Sequence, residues 1–156
     1  MDDHDRPLQD PADWAAENRN FTSDILDSVG ARADLMQTDP GAAIRLLGEQ
    51  LAGLGLDDPA RLSDKHRIRL FAMLMAVVGE YLYCVHRVRW AWLGDGTPPL
   101  GGRWVVSALP GPADRWPTMV DVPGLCMDAL ASSAPVRPAD LVNRAEELAG
   151  LRISPF

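Results

Sequence analysis

The sequence predicts an α+β domain in which N-terminal helices and one long central helix pack on a small antiparallel sheet of two or three strands, with helices again at the C-terminal end. Three observations carry this. Three Asp-Pro pairs, at Asp10-Pro11, Asp39-Pro40 and Asp58-Pro59, each stand where a helical pattern begins. A helical period runs unbroken from about Ser63 to Arg87 or Val88, and the period then changes to the alternation of "RVRWAW" and "RWVVSAL". The order of helices, sheet and helices is that of an α+β fold.

The Asp-Pro pairs start helices for a physical reason. Asp accepts hydrogen bonds from the free N–H groups of a first turn, and Pro at the first helical position gives up only an N–H that would be unpaired there. After Asp10, the residues Trp14, Phe21, Ile25 and Val29 form a discontinuous apolar stripe, split at "NFTSD", where Thr22 or Ser23 caps a second helix. After Asp39, a cleaner stripe of Ala43, Ile44, Leu47, Leu51 and Leu54 ends at Gly55, a residue suited to a left-handed helix terminus.

On the central helix, Leu70, Met73, Leu74, Val77, Val78, Tyr81, Cys84, Val85 and Val88 share one arc and face the core. Ala72, Met75, Ala76 and Gly79 lie opposite, which predicts that the first half is enclosed on two sides. The small residues Ala72, Ala76 and Gly79 invite a close neighbour. The unbroken apolar run from Leu70 to Gly79 is ten residues, short of the roughly twenty a bilayer needs, so a soluble core helix is expected. Beyond it, "LGDGTPPLGG" and "PGPADRWP" are loops of a short meander that includes "TMVDV". "VPGLCMDALASS" and "RPADLVNRAEELAGL" then read as helices, the second with Pro138 in its first turn and Gly150 at its end.

Length and composition set the class. A chain of 156 residues fits a single domain, 1–156, with residues 1–10 as a flexible acidic tail. Hydrophobic residues at 47% and charged residues at 24% exclude intrinsic disorder. The net charge of −7 is uneven: 13 acids face 5 bases in residues 1–62, whereas 2 acids face 5 bases in residues 63–92. Nucleic-acid binding would rest on Lys65, Arg67, Arg69, Arg87 and Arg89 with Trp90 and Trp92 as platforms, and the acidic chain argues against it. The simpler expectation is that the acidic first segment folds back on the basic helix. Fourteen arginines against one lysine, with abundant Ala, Gly, Pro and Asp, fit a high-GC bacterial coding bias. Cys84 and Cys126 are expected as reduced thiols in the cytoplasm, and "MDDHDRPLQD" lacks the pattern of a secretion signal.

Reactive residue types gather at Glu80, Cys84 and His86. Cys84 and His86 point some 160° apart on a helix, a poor chelate, so no metal is expected, and no cofactor motif is present. A mid-helix carboxylate calls for a cation, and Glu80 is expected to pair with Arg87, Arg69 or Arg103. Serine elbows and phosphate loops are missing from the sequence. Binding is therefore assigned to the loops at the sheet ends, through Arg115 and Trp116 with Asp95 and Arg103 as a polar rim.

"GEYLYCVHR" on a helix, then "GGRWVV" entering a strand, with "LGLDD" before them, resembles a set of small bacterial proteins of unknown function. Their pattern is a Gly-Glu-Tyr helix followed by a Gly-x-Trp strand, a short strand and a closing helix. The resemblance covers Leu54 to Leu130, and this chain inserts "VRWAWLGDGTPPL" between the two motifs. It implies an α+β domain and supplies no active site.

The function expected from all this is protein–protein contact, as an adaptor, an accessory factor or an immunity-type binder, with another protein as partner and neither nucleic acid nor membrane. The alternative is a small enzyme or ligand-binding protein with a pocket between the central helix and the sheet, using Glu80, Tyr83, His86 and Arg87, with Arg103 reaching in from the strands.

Overall fold

Helix α1 spans Pro11–Ser28, α2 Leu35–Thr38, α3 Pro40–Gly53 and α4 Asp64–His86. A meander of β1 (Arg89–Leu93), β2 (Arg103–Ser107) and β3 (Met119–Val120) follows, then α5 (Val122–Ala131) and α6 (Pro138–Ala149). This computed structural model describes residues 9–96, 101–108 and 118–156. The arrangement is the α+β fold expected.

All three Asp-Pro pairs cap helices. Asp10 accepts from the Ala12 N–H at 2.8 Å, Asp39 from Ala42 at 3.0 Å, and Asp58 from Ala60 at 3.1 Å, the last opening a single 3₁₀ turn. Gly55 is left-handed, with φ of 68°, and the Leu56 N–H returns to the Leu51 carbonyl at 2.9 Å. Gly150 closes α6 in the same way, with φ of 65°.

Helix α1 departs from expectation. It is continuous through "NFTSD", because the Thr22 hydroxyl donates to the Asn18 carbonyl one turn back, at 2.8 Å, instead of capping a new helix. Its buried stripe is Asn18, Thr22 and Leu26, while Phe21 is exposed. Polar residues can occupy that stripe since their side chains are satisfied on their own helix, Asn18 donating to the Trp14 carbonyl at 2.7 Å. The four-residue α2 carries no sequence signal that we identified.

Helix α4 starts at the Ser63 cap and ends at Arg87, whose φ of 54° is left-handed. It is the one non-glycine residue with positive φ among the described residues, and it turns the chain abruptly into β1. The expected enclosure on two sides holds at Ala76 and Gly79, which are buried, while Ala72 and Met75 are half-buried; it continues past Gly79 and fails at the start of the helix. Seven consecutive residues of the second half, Ala76 to Leu82, are buried, whereas Ile68 in the first half is 68% exposed. The reason lies in the neighbours: α1 lays its polar stripe on the second half, and Trp90 of β1 lies directly over Gly79, where any Cβ would overlap the indole. Val85, expected in the core, is exposed.

By length and composition α4 could cross a bilayer, its most apolar 18-residue window having a mean hydropathy of 1.7. The count of ten unbroken apolar residues therefore understates it. Here it is the central element of one core cluster that draws on α1, α2, α3, the sheet, α5 and α6.

The sheet order is β1-β2-β3, antiparallel, with Trp92 opposite Trp104 and Trp90 opposite Val106. Trp90, Trp92 and Trp104 thus share a face. Trp14 of α1 stacks on Trp104 with centroids 4.8 Å apart and meets Trp90 edge-on at 5.9 Å, joining α1 to the sheet.

Candidate functional site

Glu80 is 2% exposed, and its Oε1 accepts from Arg19 Nε at 3.0 Å, Gln37 Nε2 at 3.3 Å and the Cys84 thiol at 3.7 Å. The expectation of an ion pair holds, but the partner is Arg19 of α1 and none of Arg87, Arg69 or Arg103. Arg69 is eleven residues earlier on the same helix, about 16 Å along its axis. Arg87 has left the helical path at its left-handed turn. Arg103 is taken by Asp95 at 3.1 Å and Asp121 at 2.9 Å.

Hydrogen bonding to Glu80 raises the Arg19 guanidinium, which also lies over the Tyr83 ring at 5.0 Å. Burial, reinforced by the charge of Glu80, pushes the Cys84 thiol up to about 12, and burial does the same to Cys126. Both are free thiols. A thiol so far from ionisation at neutral pH is a poor nucleophile and a poor metal ligand.

His86 belongs to a different site. Its Nε2 lies 2.8 Å from Oε1 of Glu146 on α6, a carboxylate with no solvent exposure. Glu146 also accepts from the Ser154 N–H at 2.7 Å and the Ser154 hydroxyl at 2.5 Å, while Tyr81 donates to Ser154 Oγ at 2.6 Å. With its amide nitrogen turned inward, Asn143 donates to the Ser154 carbonyl at 3.1 Å and to Glu146 at 3.2 Å. A serine, a histidine and a carboxylate are present, but the carboxylate stands between the other two. Nucleophilic catalysis needs the histidine against the hydroxyl, so this set ties the chain after α6 to α4.

Glu146 was missed from the sequence, although a signal existed. Leu141, Val142, Ala145, Glu146 and Ala149 form the buried stripe of α6, so the carboxylate falls on the apolar face.

The four alternative pocket residues therefore do not converge. Between α1, the end of α4 and β1 there is an open depression of about 650 Å³ with Asp10, Arg19, Tyr83, Arg89 and Trp90 in its lining. Tyr83 is the one member of the four that reaches it; Glu80 lies behind, His86 faces α6, and Arg87 is a turn residue. Of the expected binding residues, Asp95 and Arg103 come together as read, with Asp121 added. Arg115 and Trp116 lie outside the described residues.

The first segment folds back on α4 as expected, through the packing of α1. Lys65, Arg67, Arg69, Arg87 and Arg89 form no ion pair among the described residues, so no described acid of the first segment pairs with them. Among the described residues, the one ion pair between that segment and α4 runs the opposite way, from Arg19 to Glu80.

The half-covered start of α4 borders two apolar surfaces. On one side Ile68, 68% exposed, and Met127 of α5, 57% exposed, flank an open depression of about 490 Å³ with Phe71 and Leu130. On the opposite side a groove of about 500 Å³ runs between α1, α3 and α4, floored by Leu47, Leu51 and Leu70. Among the described residues, no group of three or more His, Cys, Asp or Glu side chains could hold a metal ion. No protein-family model, no curated protein and no solved structure matches this chain.

Proposed function

We propose that the protein acts by contact with another protein, as an adaptor, accessory or immunity-type binder, and that the α4/α5 surface around Ile68 and Met127 is its contact face. The observation that carries this reading is the pair of large, highly exposed apolar side chains from two helices around one open depression of about 490 Å³. Isolated exposed apolar residues are ordinary, but a contiguous patch with polar groups beside it is what interfaces use. Arg67, whose guanidinium donates to the Leu130 carbonyl at 3.1 Å, and Asp64 supply that polar edge.

The chemistry of the buried groups supports the same reading. Glu80, His86, Glu146 and Cys84 are each committed to a structural partner, and none presents an activated nucleophile or base to an open cavity. A small enzyme built on Glu80, Tyr83, His86 and Arg87 is disfavoured by their separation onto different faces.

Affinity capture from the native host with the wild type and with an Ile68→Asp, Met127→Asp double variant tests the proposal. A partner retained by the wild type and lost by the variant, with both proteins melting alike, is the expected result. A partner set identical for both overturns the contact face.

A further inference from the structure

We infer that the groove between α1, α3 and the first half of α4 is a binding site for a single-chain amphiphile with a carboxylate head, its apolar tail on Leu47, Leu51 and Leu70 and its head against Arg69. The site lies on the face of α4 opposite Ile68, since Leu70 and Met73 line it while Ile68 and Phe71 line the other surface. It is independent of the contact face proposed above.

The volume of about 500 Å³ falls within the range of about 300–1,000 Å³ typical of small-molecule sites. The lining is apolar apart from Ser28, Gln50, His66 and Arg69. Ser28 spends its hydroxyl on the Ile25 carbonyl at 2.7 Å, and His66 has Nδ1 3.1 Å from Ser63 Oγ.

Arg69 is the decisive residue. It makes no hydrogen bond or ion pair among the described residues, although the chain carries 22 acidic residues against 15 basic ones. No carboxylate is among the described residues that line the groove. Among the described residues, the lining of this apolar groove thus holds one guanidinium without a partner and no acid. A guanidinium binds a carboxylate through two parallel hydrogen bonds. One cation in an otherwise apolar lining matches a ligand with one negative group on an apolar body. An acidic amphipathic helix would bring several carboxylates and would need several cations.

Titration of the full chain with sodium decanoate below its micelle concentration, followed by calorimetry and compared with decanol and decyltrimethylammonium, tests the inference. Decanoate is expected to saturate a single site, with the alcohol and the cation weaker by about tenfold or more. Arg69→Gln is expected to lower decanoate affinity by about tenfold, to leave decanol binding unchanged, and to leave the melting temperature unchanged because the side chain is exposed. Leu54→Asp, at a mouth residue that is 66% exposed, should weaken all tail binding without unfolding the protein. The inference is overturned by absence of saturable decanoate binding, by equal binding of decanol, or by a carboxylate preference that survives Arg69→Gln. None of these outcomes bears on capture through Ile68 and Met127, so the two readings fail separately.

Discussion

The two halves of α4 are both rich in apolar residues, yet they do different work. In the second half, seven consecutive residues are buried on every side, and the one charge among them, Glu80, is answered by Arg19 from another helix. In the first half the helix is covered incompletely, Ile68 is 68% exposed, and Lys65 and Arg69 have no ion pair among the described residues. Apolar content does not distinguish core from surface here; the neighbours do. Where α1, β1, α5 and α6 converge, apolar residues make a core, and where they diverge the same residue types leave a patch and a groove.

The largest expected effect breaks the buried half. Gly79→Ala places a methyl group inside the Trp90 indole, and Trp90 is buried and held by Trp14. Overpacking of this kind costs about 1–3 kcal/mol, and the better helix propensity of Ala offsets about 1 kcal/mol at most. A clear fall in melting temperature with a weakened near-ultraviolet tryptophan signal is expected. An unchanged protein would show that the Trp90 contact does not fix the packing.

Removing the two buried carboxylates should rank them. Glu146→Ala removes a fully buried carboxylate and leaves the half-buried Ser154 N–H and hydroxyl and His86 without their acceptor, and is expected to cost about 2–4 kcal/mol. Glu80→Ala should cost less, about 1–2 kcal/mol, because the Arg19 side chain is 40% exposed and water can replace the carboxylate. Chemical denaturation of both variants checks the order, and a larger loss at Glu80 would contradict the exposure argument.

What was legible in the sequence was whatever is decided within one turn of backbone. The Asp caps, Gly55, Gly150 and the change of period after Val88 are local, and each appears where expected. Asp95 and Arg103 were legible together because β1 and β2 pair Leu93 with Arg103 and bring the loop between them back on itself. Tertiary choices were not. Glu80 and Arg19 are 61 residues apart, and the sequence offered nearer arginines on the same helix. Helical spacing correctly put Leu70 to Tyr81 on a common core face, but it could not say that α1 would bury Thr22 and leave Phe21 outside. The exposed start of α4 has the same origin, since its exposure is set by elements distant in the chain, α1 before it and β1, α5 and α6 after it.

The thiols sharpen the comparison through pH. Both are held protonated well above the ordinary thiol range, up to about 12. Between the unfolded value near 9 and that folded value, the native chain binds more protons than the unfolded one. Stability therefore falls as pH rises through this window and is fully present below it. Cys84→Ala with Cys126→Ala should flatten part of the alkaline loss seen in thermal melts between pH 9 and 11. Tyr81, raised by burial in the same sense, keeps the rest. An unaltered slope in the double variant would mean that neither thiol is as shielded as its surroundings indicate.

The smallest effect is expected at the open half, and its smallness is the point. Ile68→Asp replaces an apolar side chain that is 68% exposed, so little hydrophobic burial is lost, within about 0.5 kcal/mol. Helical propensity falls slightly, while the new carboxylate lies near Lys65, three residues away on the same surface, and can pair with it. The two local terms oppose each other, leaving the melting temperature close to that of the parent. Solubility should rise as an apolar patch is interrupted. A substantial loss of stability would show that Ile68 is covered within the folded chain, by residues outside those described or by a second copy. Sedimentation velocity separates the two, because a patch closed by self-association gives a sedimentation coefficient that drops in the Ile68→Asp protein, whereas cover from within the chain leaves the coefficient unchanged.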